Sequence, residues 1–145
     1  MKKLSILLIT AAILVSCGGG EKAAEAPKLT PEGLTQEQVK KGIGPIKNLS
    51  LAAIDTALVT SGKAVFDLKC VACHKVNERL VGPPLAGITT RRSPEFIMNM
   101  ILNPDEMVKK HPEVKAMLAT YYIPMTFQNV TQEDARAILE YFRTL

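Results

Sequence analysis

The apolar residues of this chain recur every three or four positions, which is the spacing of one face of an α-helix. The clearest stripe lies in the last segment and comprises Ile138, Leu139, Phe142 and Leu145. An earlier stripe leads into Cys70 and comprises Ile54, Leu58, Val59, Val65 and Phe66. No stretch alternates apolar and polar residues as a half-buried β-strand does. The pattern therefore predicts an all-α fold.

Helix-starting signals divide residues 54–145 into about four predicted helices. The first helix contains the earlier apolar stripe. The pair Ser93–Pro94 suits the N-cap and the first position of the second helix. Pro112 opens a third helix in the same way. Thr131 starts the last helix, with an acidic residue three positions on where a capping box has Glu or Gln. We therefore expect the folded domain to begin near Ile54.

The N-terminus has the pattern of an export signal. Two lysines precede an apolar run over residues 4–15, which is too short to cross a bilayer but suits the hydrophobic region of a signal peptide. The run ends in Leu-Val-Ser-Cys, which resembles the cleavage box of bacterial lipoproteins. Residues 1–16 are accordingly predicted to be a lipoprotein signal peptide, and Cys17 the lipidated first residue of the mature protein. The alternative is ordinary cleavage near Ser16, with Cys17 incidental.

Residues 17–53 have the composition of a linker. They mix Gly, Pro, Ala and charged residues without a sustained apolar period. The sequence predicts a lipid-anchored flexible linker here. Such a linker either displays the domain at the membrane surface or lets it sweep the volume nearby.

Charge and aromatic content change this picture in two ways. The chain has 18 Lys and Arg against 14 Asp and Glu, and this excess of four falls to two without Lys2 and Lys3 of the predicted signal. So small an excess does not indicate a nucleic-acid-binding protein, which concentrates basic residues on one face. With no Trp, three Tyr and four Phe, a core of side chains alone would be thin for a domain this small.

The stretch KCVACHK, residues 69–75, contains two of the three cysteines. A thioredoxin-like redox pair would need a βαβ setting, which the helical pattern does not supply. A structural zinc site usually takes four Cys or His ligands. Beyond Cys70 and Cys73 only His74 and His111 remain, and the adjacent Cys73 and His74 could hardly both bind one tetrahedral ion together with Cys70. Cys-x-x-Cys-His is the attachment signature of c-type haem. The motif therefore predicts one covalent haem on Cys70 and Cys73, with His74 as an iron ligand, and the porphyrin would complete the core.

From about Gly62 to Leu145 the chain resembles a class I c-type cytochrome, a monohaem electron carrier with a helical fold. The resemblance rests on GKAVFDLKCVACHK around the cysteines, on GPPLAG at residues 82–87, and on the last helix. It implies that the carbonyl of Pro83 accepts the N–H of the axial His74. It also implies that the last helix, with Tyr141 and Phe142, crosses the first one at Gly62.

The second iron ligand is predicted from the same resemblance. Met125 follows Pro124 in an irregular stretch before the terminal helix, where the family places its axial methionine. The other candidates are Met98, Met100, Met107, Met117 and His111. The histidine is the leading competitor, although its position beside a proline and two lysines is typical of a solvated helix start.

The resemblance implies an electron carrier that is not an enzyme, because His/Met ligation leaves no open iron position for a substrate. We expect a monomer that meets its redox partners in small, transient contacts, on the periplasmic side of the inner or the outer membrane. RRSPEFIMNMILNP, residues 91–104, faintly resembles cytochromes of nitrous-oxide respiration, and a terminal oxidase is an equal alternative partner. Two other functions stay open, a haem sensor or peroxidase-like enzyme with a vacant position, and a structural subunit of a respiratory complex.

Overall fold

The computed structural model describes residues 28–145. The predicted signal peptide (1–16), the lipidation site Cys17 and the first part of the predicted linker (18–27) lie outside the described residues and remain predictions.

The described residues form helices and no β-strand, as the apolar period predicts. The helices are α1 (Gln36–Lys41), α2 (Thr56–Lys69), α3 (Ile88–Arg91), α4 (Pro94–Leu102), α5 (Pro104–Lys110), α6 (Pro112–Tyr121) and α7 (Gln132–Phe142). The four predicted helices correspond to α2, α4, α6 and α7. The structure adds α1, α3 and α5, which have 6, 4 and 7 residues and are too short to show a period.

The predicted caps are present. The Ser93 hydroxyl accepts a hydrogen bond from Phe96 N at 3.2 Å and begins α4. The Thr131 hydroxyl accepts from Asp134 N at 3.1 Å and begins α7. Each cap satisfies one of the backbone N–H groups that a helix start leaves without a partner.

Helices α2 and α7 cross in close contact at Gly62, as the resemblance implies. A Cβ atom on Gly62 would overlap the carbonyl group of Ala137. One turn further along α2, the ring of Phe66 packs against Tyr141 and Phe142, with centroid distances of 5.4 and 5.7 Å. The crossing therefore fixes the position of α2 relative to α7, and with it the position of the Cys-x-x-Cys-His turn at the end of α2.

The predicted flexible linker is corrected over residues 34–49, here called the strap, because this segment packs against the helical domain. Leu34 and Ile46 are only 4% and 6% exposed. Ile46 lies in the same apolar core as Phe66 and Ile138. The strap's five aliphatic residues are interspersed with Gly, Pro and Lys, so composition alone suggests a linker.

Side chains of α4 supply the hydrogen bonds that the strap lacks. The buried Asn99 accepts from Ile46 N at 2.9 Å, and its amide nitrogen donates to Ile46 O at 2.8 Å and Lys41 O at 2.9 Å. Glu95 accepts from Leu49 N at 3.1 Å. A buried backbone without secondary structure needs such partners, so these two side chains make the strap part of the fold.

His111 also holds the strap, and its predicted exposure is wrong. The side chain is fully buried, and its Nε2 donates to Val39 O at 2.9 Å. Its ring packs edge-on against Phe96 with centroids 5.1 Å apart. The neighbouring proline and lysines suggest a solvated helix start, but α1 covers the imidazole.

We expect Asn99→Ala to destabilise the holoprotein strongly. Two buried backbone groups of the strap and a third, partly buried one would lose their partner, and an unsatisfied buried group costs about 1–3 kcal/mol, less where water reaches it. A total loss of roughly 2–4 kcal/mol in the free energy of unfolding should appear in denaturant titrations. Asn77→Ala, at an exposed position, is the matched control and should stay within about 0.5 kcal/mol of the parent. Equal stability of the two variants would contradict the structural role of the strap.

Candidate functional site

The Cys-x-x-Cys-His motif forms a turn at the end of α2. Cys70 caps the helix, and its carbonyl accepts hydrogen bonds from Cys73 N at 3.1 Å and His74 N at 2.9 Å. Cys70 is half-buried and Cys73 is exposed. The turn brings both thiols and the imidazole to one side of the chain, as the spacing of the motif requires.

A cavity of about 330 Å³ lies beside this turn, and its lining is mainly apolar. All five residues predicted to bind the cofactor line it: Cys70, Cys73, His74, Pro83 and Met125. Helices α4 and α6 provide much of the remaining wall. The structure therefore brings together, around one space, residues that lie up to 55 positions apart in the sequence.

The imidazole of His74 is held by a backbone carbonyl. Its Nδ1 lies 3.0 Å from Pro83 O, and since a carbonyl can only accept, Nδ1 carries the proton. The lone pair is then on Nε2, the atom that a metal would take. The hydrogen bond that the resemblance implies between these two residues is present.

Gly82 makes this arrangement possible. A Cβ atom at this position would lie within 2.8 Å of His74 Nδ1 and closer still to the adjacent ring carbon. Gly82 N also donates to Cys73 O at 2.8 Å, so the loop closes back onto the motif. In the sequence this glycine stands out only as part of GPPLAG. The imidazole that occupies the space of its missing side chain becomes visible only in three dimensions.

The cavity narrows the choice of a second iron ligand. Met100, Met117 and Met125 line it, whereas Met98, Met107 and His111 do not. The first two of these three belong to α4 and α6, and Met125 lies on the non-helical segment between α6 and α7. The leading competitor, His111, lies behind Phe96 and contacts the strap instead.

The donor set and the lining fit a covalently attached haem. Burial raises the pKa of the Cys70 thiol, although nearby Lys69 acts in the opposite direction. A redox-active Cys-x-x-Cys pair has a lowered thiol pKa instead. No group of three or more His, Cys, Asp or Glu side chains within residues 28–145 is arranged to hold a metal ion. Two thiols, one imidazole lone pair and methionine thioethers around an apolar space match the chemistry of c-type haem.

The comparison with protein families decides the assignment. The family model described as cytochrome c matches residues 59–145. The chain belongs to the cytochrome c family. It is 25% identical to cytochrome c2 of Rhodopseudomonas palustris over 68% of this chain and 88% of that protein.

Solved structures agree with the family. Cytochrome c from Rhodothermus marinus is 44% identical, with a TM-score of 0.71, over 74% of this chain and 94% of that one. An engineered form of the same protein is 43% identical, with a TM-score of 0.70, over 74% and 95%. This protein is therefore a class I monohaem cytochrome with the small all-α cytochrome c fold, and it binds one covalent haem c.

Not every cavity residue is singled out by the sequence. Met100 and Met117 are two of several candidate iron ligands, and Val108 has no distinguishing context, but the fold brings all three to the cavity. Arg92 also lines the cavity, where it pairs with Glu113 and lies over the ring of Phe96 at 4.8 Å. Each of these residues depends on how α4–α6 pack, for which no local signal exists.

We expect Gly82→Ala to displace the His74 ring, because the added methyl group has no space. The reduction potential and the haem absorption spectrum should both change in the purified holoprotein. Gly87→Ala is the control. Its φ of 62° makes it strained as well, but the nearest side-chain atom is Arg91 Nη1 at 3.4 Å. It should lower stability and leave the spectrum unchanged, and a spectral change of equal size in both variants would contradict a local effect.

Proposed function

We propose that this cytochrome is a membrane-tethered carrier with His74 and Met125 as its two iron ligands. In this role it passes single electrons between respiratory partners on the periplasmic side of a bacterial membrane, and it is not an enzyme. The observation that carries the proposal is one apolar cavity lined by both residues, with Nδ1 of the histidine already engaged by Pro83. The electron-transfer role itself follows from family membership.

Each residue of the site has a definite role in this proposal. When bound, haem supplies a one-electron Fe(III)/Fe(II) couple. Cys70 and Cys73 would hold the porphyrin through two thioether bonds, and Pro83 orients the imidazole of His74. The thioether of Met125 would be the second iron ligand and would favour the ferrous state. The apolar walls of the cavity keep water away from the iron, so that water does not compete with the two protein ligands.

A second candidate is a haem enzyme whose sixth position opens. It is favoured by the setting of Met125, because Tyr122, three residues earlier, has a φ of 64°, which is rare for an aromatic residue. An engineered cytochrome c from Rhodothermus marinus has been solved bound to a carbene intermediate. The stability of the sulfur–iron bond decides between the two candidates.

The tether in this proposal is shorter than the predicted linker. Because the strap is folded, only the chain between Cys17 and Leu34 would separate a lipid from the domain. These 17 positions span at most roughly 60 Å when fully extended. No helix within the described residues is long and apolar enough to cross a membrane. The proposed partners are redox proteins in transient contact, either a terminal oxidase or a nitrous-oxide reductase, and the carrier acts as a monomer.

We expect Met125→Ala to lower the reduction potential by roughly a hundred millivolts or more, since the thioether favours ferrous iron. The oxidised protein should also lose its long-wavelength methionine–iron absorption band and bind added imidazole. Met125→His should stay six-coordinate at a low potential. Potentiometric titration with optical detection measures all of these changes.

The other methionines supply the comparison. Met100→Leu and Met117→Leu remove the two other thioether sulfur atoms of the cavity, and His111→Gln removes the competing imidazole. Met98→Leu lies outside the cavity and controls for core repacking, which costs under about 1.5 kcal/mol for such a swap. A potential that falls in any of these four variants, but not in Met125→Ala, would show that the assignment of Met125 is wrong.

Anchoring is expected to depend on Cys17. A single acyl chain gives only marginal binding, so the mature N-terminus should carry more than one. Cys17→Ser should move the cytochrome from the membrane to the soluble fraction of lysed cells, with an unchanged haem spectrum. Mass spectrometry of the parent protein should find the lipid on residue 17. A serine variant that stays in the membrane fraction would mean that another element holds it there.

A further inference from the structure

The segment that carries Met125 has few contacts along most of its length. Residues 122–129 are all exposed except Met125, which is partly buried and packs against the main apolar core. Within the described structure, no hydrogen bond joins the backbone of residues 123–130 to another backbone group. Such a stretch opens locally at a much lower free energy than the whole domain unfolds. Any further contact that holds it therefore decides how steadily the sulfur stays at the cavity.

One side chain of α2 provides such a contact. Nζ of Lys69 donates to Asn129 O at 2.7 Å and to Gln128 O at 3.3 Å. The lysine is half-buried and lines the cavity together with Gln128. Both partners are carbonyls, so the ammonium group keeps its charge, and a hydrogen bond from a charged donor is stronger than a neutral one. Lys69 therefore holds the C-terminal end of the segment.

The position of Lys69 in the chain connects the two sides of the site. It is the last residue of α2, directly before Cys70, and the crossing at Gly62 fixes α2 against α7. The two carbonyls that it contacts lie three and four residues beyond Met125. One side chain thus joins the part of the chain that holds the cofactor covalently to the part that carries the methionine.

The other end of the segment is held separately. Arg79 donates to Thr120 O at 3.0 Å and stacks over the ring of Tyr121, which fixes the end of α6. Val130, where the chain enters the core again, is only 4% exposed. Without Lys69, residues 123–129 would have no hydrogen bond to the rest of the described structure. With it, this stretch shortens from seven residues to the five of 123–127.

We propose that Lys69 is a positioning residue for the second iron ligand. Its bonds to the carbonyls of Gln128 and Asn129 keep Met125 at the cavity and so keep the sixth position closed. These bonds form only while the segment is in place, so they stabilise the closed arrangement and not the open one. The proposal rests on the proposed function, because it takes Met125 as the ligand.

A surface contact without effect is the alternative. Exposed lysines often contribute nothing measurable, because ordering a long side chain offsets the attraction. Lys69 differs from such residues because it is half-buried and meets acceptors on two consecutive residues. Lys75, on the other side of the motif, is exposed and pairs with Glu78 at 2.6 Å. Within the described structure its side chain makes no hydrogen bond to residues 123–130, which makes it the matched control.

The test measures how often the site opens in the oxidised, full-length holoprotein. Lys69→Ala removes both bonds, Lys69→Arg restores a charged donor, and Lys75→Ala removes an equal charge beside the same motif. Imidazole is the probe, because it takes the sixth position only after the methionine has left. Its apparent affinity is then proportional to the open fraction, and its uptake at saturating concentration is limited by the rate of opening.

Lys69→Ala should bind imidazole roughly tenfold more tightly than the parent, as expected for the loss of a charge-assisted bond from a half-buried lysine. It should also take up saturating imidazole faster. Lys69→Arg and Lys75→Ala should stay within about twofold of the parent in affinity. The midpoint of unfolding in denaturant should be similar in all of these proteins, because local opening leaves α2 and α7 packed.

The outcomes separate this proposal from the proposed function. Tight imidazole binding by Met125→Ala, with Lys69→Ala equal to the parent, would overturn the positioning role alone. A Met125→Ala variant with the parent's imidazole affinity would overturn the assignment of the ligand and the positioning role with it. A Lys69→Ala variant whose unfolding midpoint falls in step with its gain in affinity, or a Lys75→Ala variant with the same gain, would assign the effect to general stability or to charge and would likewise overturn the proposal.

Discussion

The crossing of α2 and α7 at Gly62 is the constraint on which the rest of this cytochrome depends. The missing side chain lets the two helices approach until Ala137 contacts the backbone of α2. Packing of Phe66 against Tyr141 and Phe142 then stabilises the crossing. Because Cys70 ends α2, this one contact places both thiols and the imidazole against the cavity. A larger residue at Gly62 would therefore move the site as well as weaken the core.

Hydrogen bonds between backbone carbonyls and polar side chains hold both the cavity and the strap. At the cavity, the carbonyl of Pro83 orients the ring of His74. On the strap, carbonyls of Val39 and Ile46 accept from the buried His111 and Asn99. In both places a side chain donates to a backbone carbonyl of a different segment, so that buried polar groups have hydrogen-bond partners.

The sequence predicted those parts that have a local cause. Apolar period, capping residues and the Cys-x-x-Cys-His spacing gave α2, α4, α6 and α7 and the motif that defines the family. The strap was missed because its burial depends on Asn99, some fifty positions later. The exposure of His111 was wrong for a related reason: its neighbours are hydrophilic, but its environment is set by α1. Long-range contacts of this kind leave no period to detect.

The segment between α6 and α7 is held in place differently from the rest of the site. It carries Met125 on its cavity side and Tyr122 and Phe127 on its solvent side. Within the described structure no backbone–backbone hydrogen bond involves residues 123–130, so their positions rest on side-chain packing and on Lys69. The Met125 side of the cavity is therefore held by packing and by one lysine, whereas the histidine side is held by the carbonyl of Pro83 and by the turn that contains both cysteines.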